Sequence, residues 1–307
     1  MPPRPSTFSI VARDPEQDAI GVAVQSKFVS VGSVVPFASA DAGAIATQSF
    51  ANVAYGPDGL DLLREGRSAS EVVETLTDAD DQAPERQVGI VGQDGSIAAF
   101  TGADCFEFAG DIQGENYTVQ GNILENRATI EAMADTYEST GGGLPERLIA
   151  ALQAGNEAGG DARGEQSAAL YVVKPDGGYD GANDRWIDVR VDDHESPIDE
   201  LERVFRVYDV TLLEREPPDT FRELDGETAE AVTEALVEAG FAEEASGEFG
   251  EDERTALADF RDANNFENHD LDTLEDALAR GWDDAEGSGE TRLVNAIWHG
   301  IAGRERA

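Results

Sequence analysis

Residues 7–26 carry two apolar strand patterns joined by a short polar turn. The first is Thr7-Phe8-Ser9-Ile10-Val11-Ala12, led by a hydroxyl residue. The second is Ile20-Gly21-Val22-Ala23-Val24-Gln25-Ser26, and Asp14-Pro15-Glu16-Gln17-Asp18 lies between them. Apolar runs flanking a turn of this kind read as a β-hairpin. A hairpin brings the start of its first strand beside the end of its second. Thr7 is therefore expected next to Gln25, Ser26 and Lys27. A threonine hydroxyl becomes a nucleophile when a base or an orienting amine stands beside it, above all when its own α-amine is free.

Val31–Pro36 and Ala42–Thr47 are rich in small and β-branched residues and read as further strands or strand-like loops. Gly59–Glu65 and Ala69–Asp78 fit helices, the second capped by Ser68 or Ser70 with Val72, Val73 and Leu76 as its apolar face. Gln87–Val91 and Ser96–Phe100 are strands around the turn Gly92-Gln93-Asp94-Gly95. Tyr117–Gly121 is a short strand, Asn126–Thr140 and Leu144–Ala154 amphipathic helices, Ser167–Val173 and Trp186–Val191 strands, and Pro197–Tyr208 a helix. This order suits antiparallel sheet layers packed with helices in an α+β domain. Glu214-Arg215-Glu216-Pro217-Pro218-Asp219 reads as a linker, because the double proline blocks helix and sheet alike. Beyond it, Glu227–Ala239, Gly250–Asn264, Leu271–Arg280 and Thr291–Ile301 are helix patterns. The expected organisation is a disordered or removable tail over 1–6, a first domain over 7–212, a linker over 213–220 and a small all-α domain over 221–307.

Several stretches resemble the domain-of-unknown-function family 1028. They are Thr7–Asp14 (TFSIVARD), Gly21–Ser26 (GVAVQS), Val31–Pro36 (VGSVVP), Ala46–Phe50 (ATQSF), Val119–Leu124 (VQGNIL), Gly159–Leu170 (GGDARGEQSAAL) and Asn183–His194 (NDRWIDVRVDDH). The resemblance implies an Ntn-hydrolase-like fold, a four-layer αββα sandwich. It also implies, more distantly, an amide or peptide hydrolase in which a newly exposed N-terminal threonine, serine or cysteine attacks. Its rival is a non-catalytic scaffold of the same fold that binds a small ligand or a cell-wall fragment. Gly240-Phe241, Gly247-Glu248-Phe249-Gly250 and Asp259-Phe260-Arg261 resemble a peptidoglycan-binding-type helical repeat. Such a module binds a wall polymer or a substrate, or serves only for packing or dimerisation.

The 307 residues carry a formal net charge of −42, spread along the chain, with Lys27 and Lys174 as the only lysines. An evenly acidic, lysine-poor surface is the composition of a protein that stays soluble in concentrated salt, where repulsion is screened within ~3 Å at 1 M. No basic stripe exists to neutralise phosphates, so nucleic acid is not an expected partner. The segment Met1-Pro2-Pro3-Arg4-Pro5-Ser6 lacks the apolar core of a secretory signal, and no apolar run approaches membrane-spanning length. A cytoplasmic, soluble, homo-oligomeric protein acting on a small molecule or peptide is expected, with no membrane partner. Cys105, the only cysteine, stands among Phe100, Phe106 and Phe108 and reads as a small buried residue.

Thr7, Ser26 and Lys27 are the candidate catalytic residues. If residues 1–6 were removed, the Thr7 amine would serve as base and its hydroxyl as nucleophile. Lys27 fits an amine that activates Thr7 or holds an anion, or equally a solvated charge balancing Asp14 or Asp18. The amides Gln48, Asn52, Gln120 and Asn122 are candidates for holding a carbonyl or an oxyanion, against an alternative of backbone capping in turns. Asp161 and Arg163, in a glycine-rich loop, can form a charged clamp facing the same cleft as Thr7. Arg185 suits a substrate carboxylate, or an internal ion pair with Asp184 or Asp188. Asp192-Asp193-His194 cannot converge on a metal from a regular strand, whose neighbours point to opposite faces. No metal and no cofactor is called for.

Overall fold

The computed structural model describes residues 7–213 and 220–280, apart from residues 107 and 247. The expected tail, the double-proline linker and the helix Thr291–Ile301 lie outside the described residues. The chain divides into two compact units at Arg203/Val204.

In the first unit the strands β1 (Thr7–Asp14) and β2 (Ala19–Ser26) form the expected hairpin, with Thr7 paired to Ser26. A single 3-10 turn over Val31–Ser33 precedes β3 (Pro36–Ser39) and β4 (Gly43–Ser49). The helices α1 (Tyr55–Arg64) and α2 (Ala69–Asp78) follow, then β5 (Arg86–Gly92), β6 (Ile97–Thr101), β7 (Gly110–Gly114) and β8 (Tyr117–Asn122). Next come α3 (Ala128–Ser139), α4 (Leu144–Glu157), β9 (Ser167–Val173) and β10 (Arg185–Val191), and then α5 (Pro197–Leu212), within which the boundary of the units falls. All strand pairs are antiparallel. One sheet has the order β10-β9-β2-β1-β8-β7 and the other β3-β4-β5-β6.

Two elements depart from the expected pattern. Val31–Pro36, expected as a strand or strand-like loop, opens with a 3-10 turn over Val31–Ser33 and joins β3 only at Pro36: Ser30 sits in the left-handed region at φ 56°, and the Val31 N–H donates to Ser167 Oγ at 3.0 Å. Strand β7, with the sequence Gly-Asp-Ile-Gln-Gly, carries no apolar alternation, so only its pairing with β8 reveals it.

The layers run helix, sheet, sheet, helix. Helices α3 and α4 cover the outer face of the larger sheet, and α1 and α2 that of the smaller. Val72 and Leu76 of α2 join Leu60 and Leu63 of α1 over Ile45, Val88 and Ile90. Period-two alternation turns the other strand residues inward between the sheets. There Val11, Val22, Val24, Ala44, Ala46 and Val91 form an apolar core. Toward the Thr7 end of β1 the same inward face becomes polar.

In the second unit, α6 (Gly226–Glu238), α7 (Glu251–Ala263) and α8 (Leu271–Arg280) enclose Val232, Leu236, Leu257, Phe260, Leu274 and Leu278. Phe260 meets Phe241 edge-on at 5.7 Å and Phe266 at 5.9 Å. The Gly-Phe corner residues thus supply part of this core. Among the described residues no helix is long and apolar enough to cross a membrane.

Candidate functional site

At the polar end of the inter-sheet space lies a cleft of about 410 Å³. Thr7, Gln48, Ser49 and Arg86 line it together with Phe28, Val31, Val34, Val35, Phe50 and Ala51. Thr7 reaches it as the first residue of a central strand. Its hydroxyl lies 3.0 Å from Ser26 Oγ, and the residue is only 2% exposed.

Behind Thr7 is a continuous seam of buried polar side chains. Gln120 Nε2 donates to Ser9 Oγ at 2.6 Å, and Ser9 donates to Gln48 Oε1 at 2.7 Å. Gln48 Nε2 donates to Gln87 Oε1 at 2.8 Å and, more loosely, to the Thr7 carbonyl at 3.4 Å. Asn122 Nδ2 donates to the same Gln87 oxygen at 2.9 Å. Gln87 Nε2 in turn serves Thr101 Oγ1 and the carbonyls of Gly110 and Gly121. The amides bridge the two sheets, because β1 and β8 belong to one and β4 and β5 to the other. In a low-dielectric interior such a linked set is rigid, since each partner lost leaves a buried polar group unmet. Gly89 makes the room: a side chain there would collide with the Gln120 amide.

Lys27, expected beside Thr7, points elsewhere. Its ammonium donates to the Glu165 carbonyl at 2.7 Å, and neither Asp14 nor Asp18 is its partner: Asp14 accepts the Glu16 and Gln17 N–H groups, and Asp18 accepts from Gln93. Its backbone is what joins the site. Asp161, with a fully buried carboxylate, accepts the Lys27 N–H at 2.9 Å and the Arg163 N–H at 2.8 Å. The Arg163 guanidinium pairs with Asp161 at 3.1 Å and reaches the Lys27 carbonyl at 3.4 Å. The Asp161–Arg163 pair therefore grips the chain immediately after Ser26 and does not line the cleft.

Asn52 lies outside the seam. It donates to Asp80 at 3.1 Å and accepts the Ala54 N–H at the start of α1. Asp80 also accepts from Tyr55 and from Arg86 Nε, and Arg86 further holds Gln82 and the Phe50 carbonyl. Burial alone would raise the Asp80 carboxyl. The Gln82 N–H, Arg86, Asn52 and Tyr55 outweigh it and hold Asp80 well below the usual carboxylate range. Burial, then the bond to Asp80, pushes the Tyr55 hydroxyl upward.

Arg185 is remote. It pairs with Val173, at the opposite end of β9 from Ser167, ~20 Å along the strand at ordinary strand rise. Its partner there is Asp188 at 3.4 Å. Cys105 is half-buried, donating toward the Arg86 carbonyl at 3.3 Å, and burial raises its thiol. His194 accepts the Ser196 N–H in a turn, and among the described residues no cluster of ligating side chains could hold a metal ion.

Sequence reading missed Ser9, Ser49, Arg86, Gln87 and Thr101. A signal existed for Gln87: a glutamine on the inward register of an otherwise apolar strand, two residues before the glycine that accommodates Gln120.

Comparison with known proteins places these observations. None of the curated proteins matches the chain. Residues 211–298 match the family described as "Putative peptidoglycan binding domain". The crystal structure of protein SPO2555 from Silicibacter pomeroyi, a DUF1028 protein, is similar at a TM-score of 0.61 and 30% identity, over 66% of this chain and 89% of that one. Residues 7–201, which hold the hairpin, the seam and the cleft, match the family of unknown function DUF1028, and the chain belongs to that family.

Proposed function

We propose that the first unit is an amide-bond hydrolase in which Thr7, made N-terminal by loss of residues 1–6, is the nucleophile. The observation that carries this reading is that Thr7 lines the cleft with its hydroxyl 3.0 Å from Ser26 Oγ. The freed α-amine takes the hydroxyl proton, and Oγ1 bonds to the substrate carbonyl carbon. The C–N bond then breaks, the amine leaves with that proton, and water cleaves the resulting ester. Ser26 orients the hydroxyl, and the Gln48–Gln87–Asn122 amides keep the strand ends fixed around it. Asp161, Arg163 and Lys27 act by positioning the chain beside Ser26. The second unit's family match supports a wall-polymer ligand for that unit.

N-terminal sequencing and intact-mass measurement of protein from its native source test the reading. A mature terminus at Thr7 is expected. A terminus at Met1 or Pro2 in every molecule overturns it and leaves a ligand-binding scaffold.

A further inference from the structure

We propose that the cleft accepts the aliphatic acyl group of an N-acyl amide. The inference rests on Thr7 as the residue that meets the substrate, and it names the class of that substrate. Six of the ten lining residues are apolar: Phe28, Val31, Val34, Val35, Phe50 and Ala51. The polar ones, Thr7, Gln48, Ser49 and Arg86, are already engaged. Gln48 is bonded through both its oxygen and its nitrogen, and Arg86 is held by Asp80, Gln82 and the Phe50 carbonyl.

The chain has 64 acidic residues, yet none lines this cleft. On so acidic a surface, a concavity walled by valine and phenylalanine is a local exception. It favours an uncharged, water-avoiding occupant.

A glycan or a charged peptide would give up its bonds to water against this wall and find no replacement. An alkyl chain has nothing to give up. With a methylene taken as similar in volume to a water, ~30 Å³, the 410 Å³ space holds on the order of ten heavy atoms. The scissile carbonyl then lies at Thr7, with the chain running along Val31, Val34 and Val35.

The test uses the full protein and linear acyl p-nitroanilides from two to twelve carbons. Hydrolysis is read as colour. In parallel, calorimetry follows binding of the corresponding free carboxylates to Thr7→Ala. We expect kcat/KM and affinity to rise about three- to fivefold per methylene until the cleft fills. Val34→Asn should flatten both series while its thermal midpoint reports an intact fold; if it does not fold, Phe28→Ser replaces it. A flat series overturns the proposal, as does preferential cleavage of a disaccharide-peptide fragment of peptidoglycan. Chain-length-dependent binding with no anilide cleaved supports the acyl site and overturns the hydrolase reading, so the two failures are distinct.

Discussion

Asp161 shows how one buried carboxylate organises a site it does not enter. It gathers the Lys27 and Arg163 N–H groups and the Arg163 guanidinium, and so sets where Ser26 ends its strand. Asp161→Asn places an amide nitrogen against these donors. Urea unfolding is expected to show a loss of about 1–3 kcal/mol, because two backbone N–H donors and a partly exposed guanidinium lose their charged acceptor. A change under about 0.5 kcal/mol, the range of ordinary surface substitutions, would remove Asp161 from the positioning role. Cys105 offers a second check. Burial raises its thiol, with the Ser49 and Gly102 contacts opposing only in part. Thiolate is scarce at neutral pH, so iodoacetamide should label native protein much more slowly than unfolded protein. Equal rates would show an accessible, ordinary thiol. At this scale the hairpin made the Thr7–Ser26 pairing legible, since register follows from strand length and turn. The Ser9–Gln48–Gln120 chain was not legible, because its members lie on three strands from two sheets.

Local rules account for some elements completely and for others not at all. Helix α2 begins where Ser68 accepts the Glu71 N–H and Glu71 returns a bond to the Ser68 N–H. This reciprocal cap satisfies two otherwise orphaned donors. Ser68→Ala is expected to cost about 1 kcal/mol in chemical denaturation. No measurable change would mean that packing of Val72 and Leu76 alone fixes the helix start. The Asp80–Arg86 pair ties the end of α2 to the start of β5 and carries a pH signature. The Asp80 carboxyl is depressed in the folded state, so its contribution is complete above its unfolded value of ~3.9 and is lost as pH falls below that toward the folded value. Asp80→Asn should lower the thermal midpoint at pH 7. The gap to the unsubstituted protein should narrow as pH drops below about 4. A gap that stays constant to pH 3 would show that the folded state does not hold the Asp80 carboxyl below its unfolded value.

The whole molecule is governed by its charge of −42. Self-repulsion opposes the compact state, and added salt shortens its range from ~10 Å at 0.1 M to ~3 Å at 1 M. The thermal midpoint is expected to climb from dilute buffer into molar KCl. A flat or falling midpoint would show that local pairs such as Arg64–Asp41 and Arg203–Glu200 already compensate the charge.

Strand and helix periodicity, the Ser68 cap and the matching family segments make the α+β class and most element positions readable in the sequence alone. These are local properties, set by neighbours within a few residues. The cleft is not readable in that way. The Val31–Pro36 segment reads as a strand or strand-like loop, and only the fold shows its backbone bonded to Ser167 and its valines lining the cleft with Thr7. Lys27 looks like a partner for Thr7 until the Glu165 carbonyl, far along the chain, takes its ammonium. Arg86 and Gln87 enter the site only because two sheets stack with their polar ends aligned. Such long-range pairings depend on where distant strands meet, which neither composition nor spacing encodes, so only the folded chain could assign these residues their places.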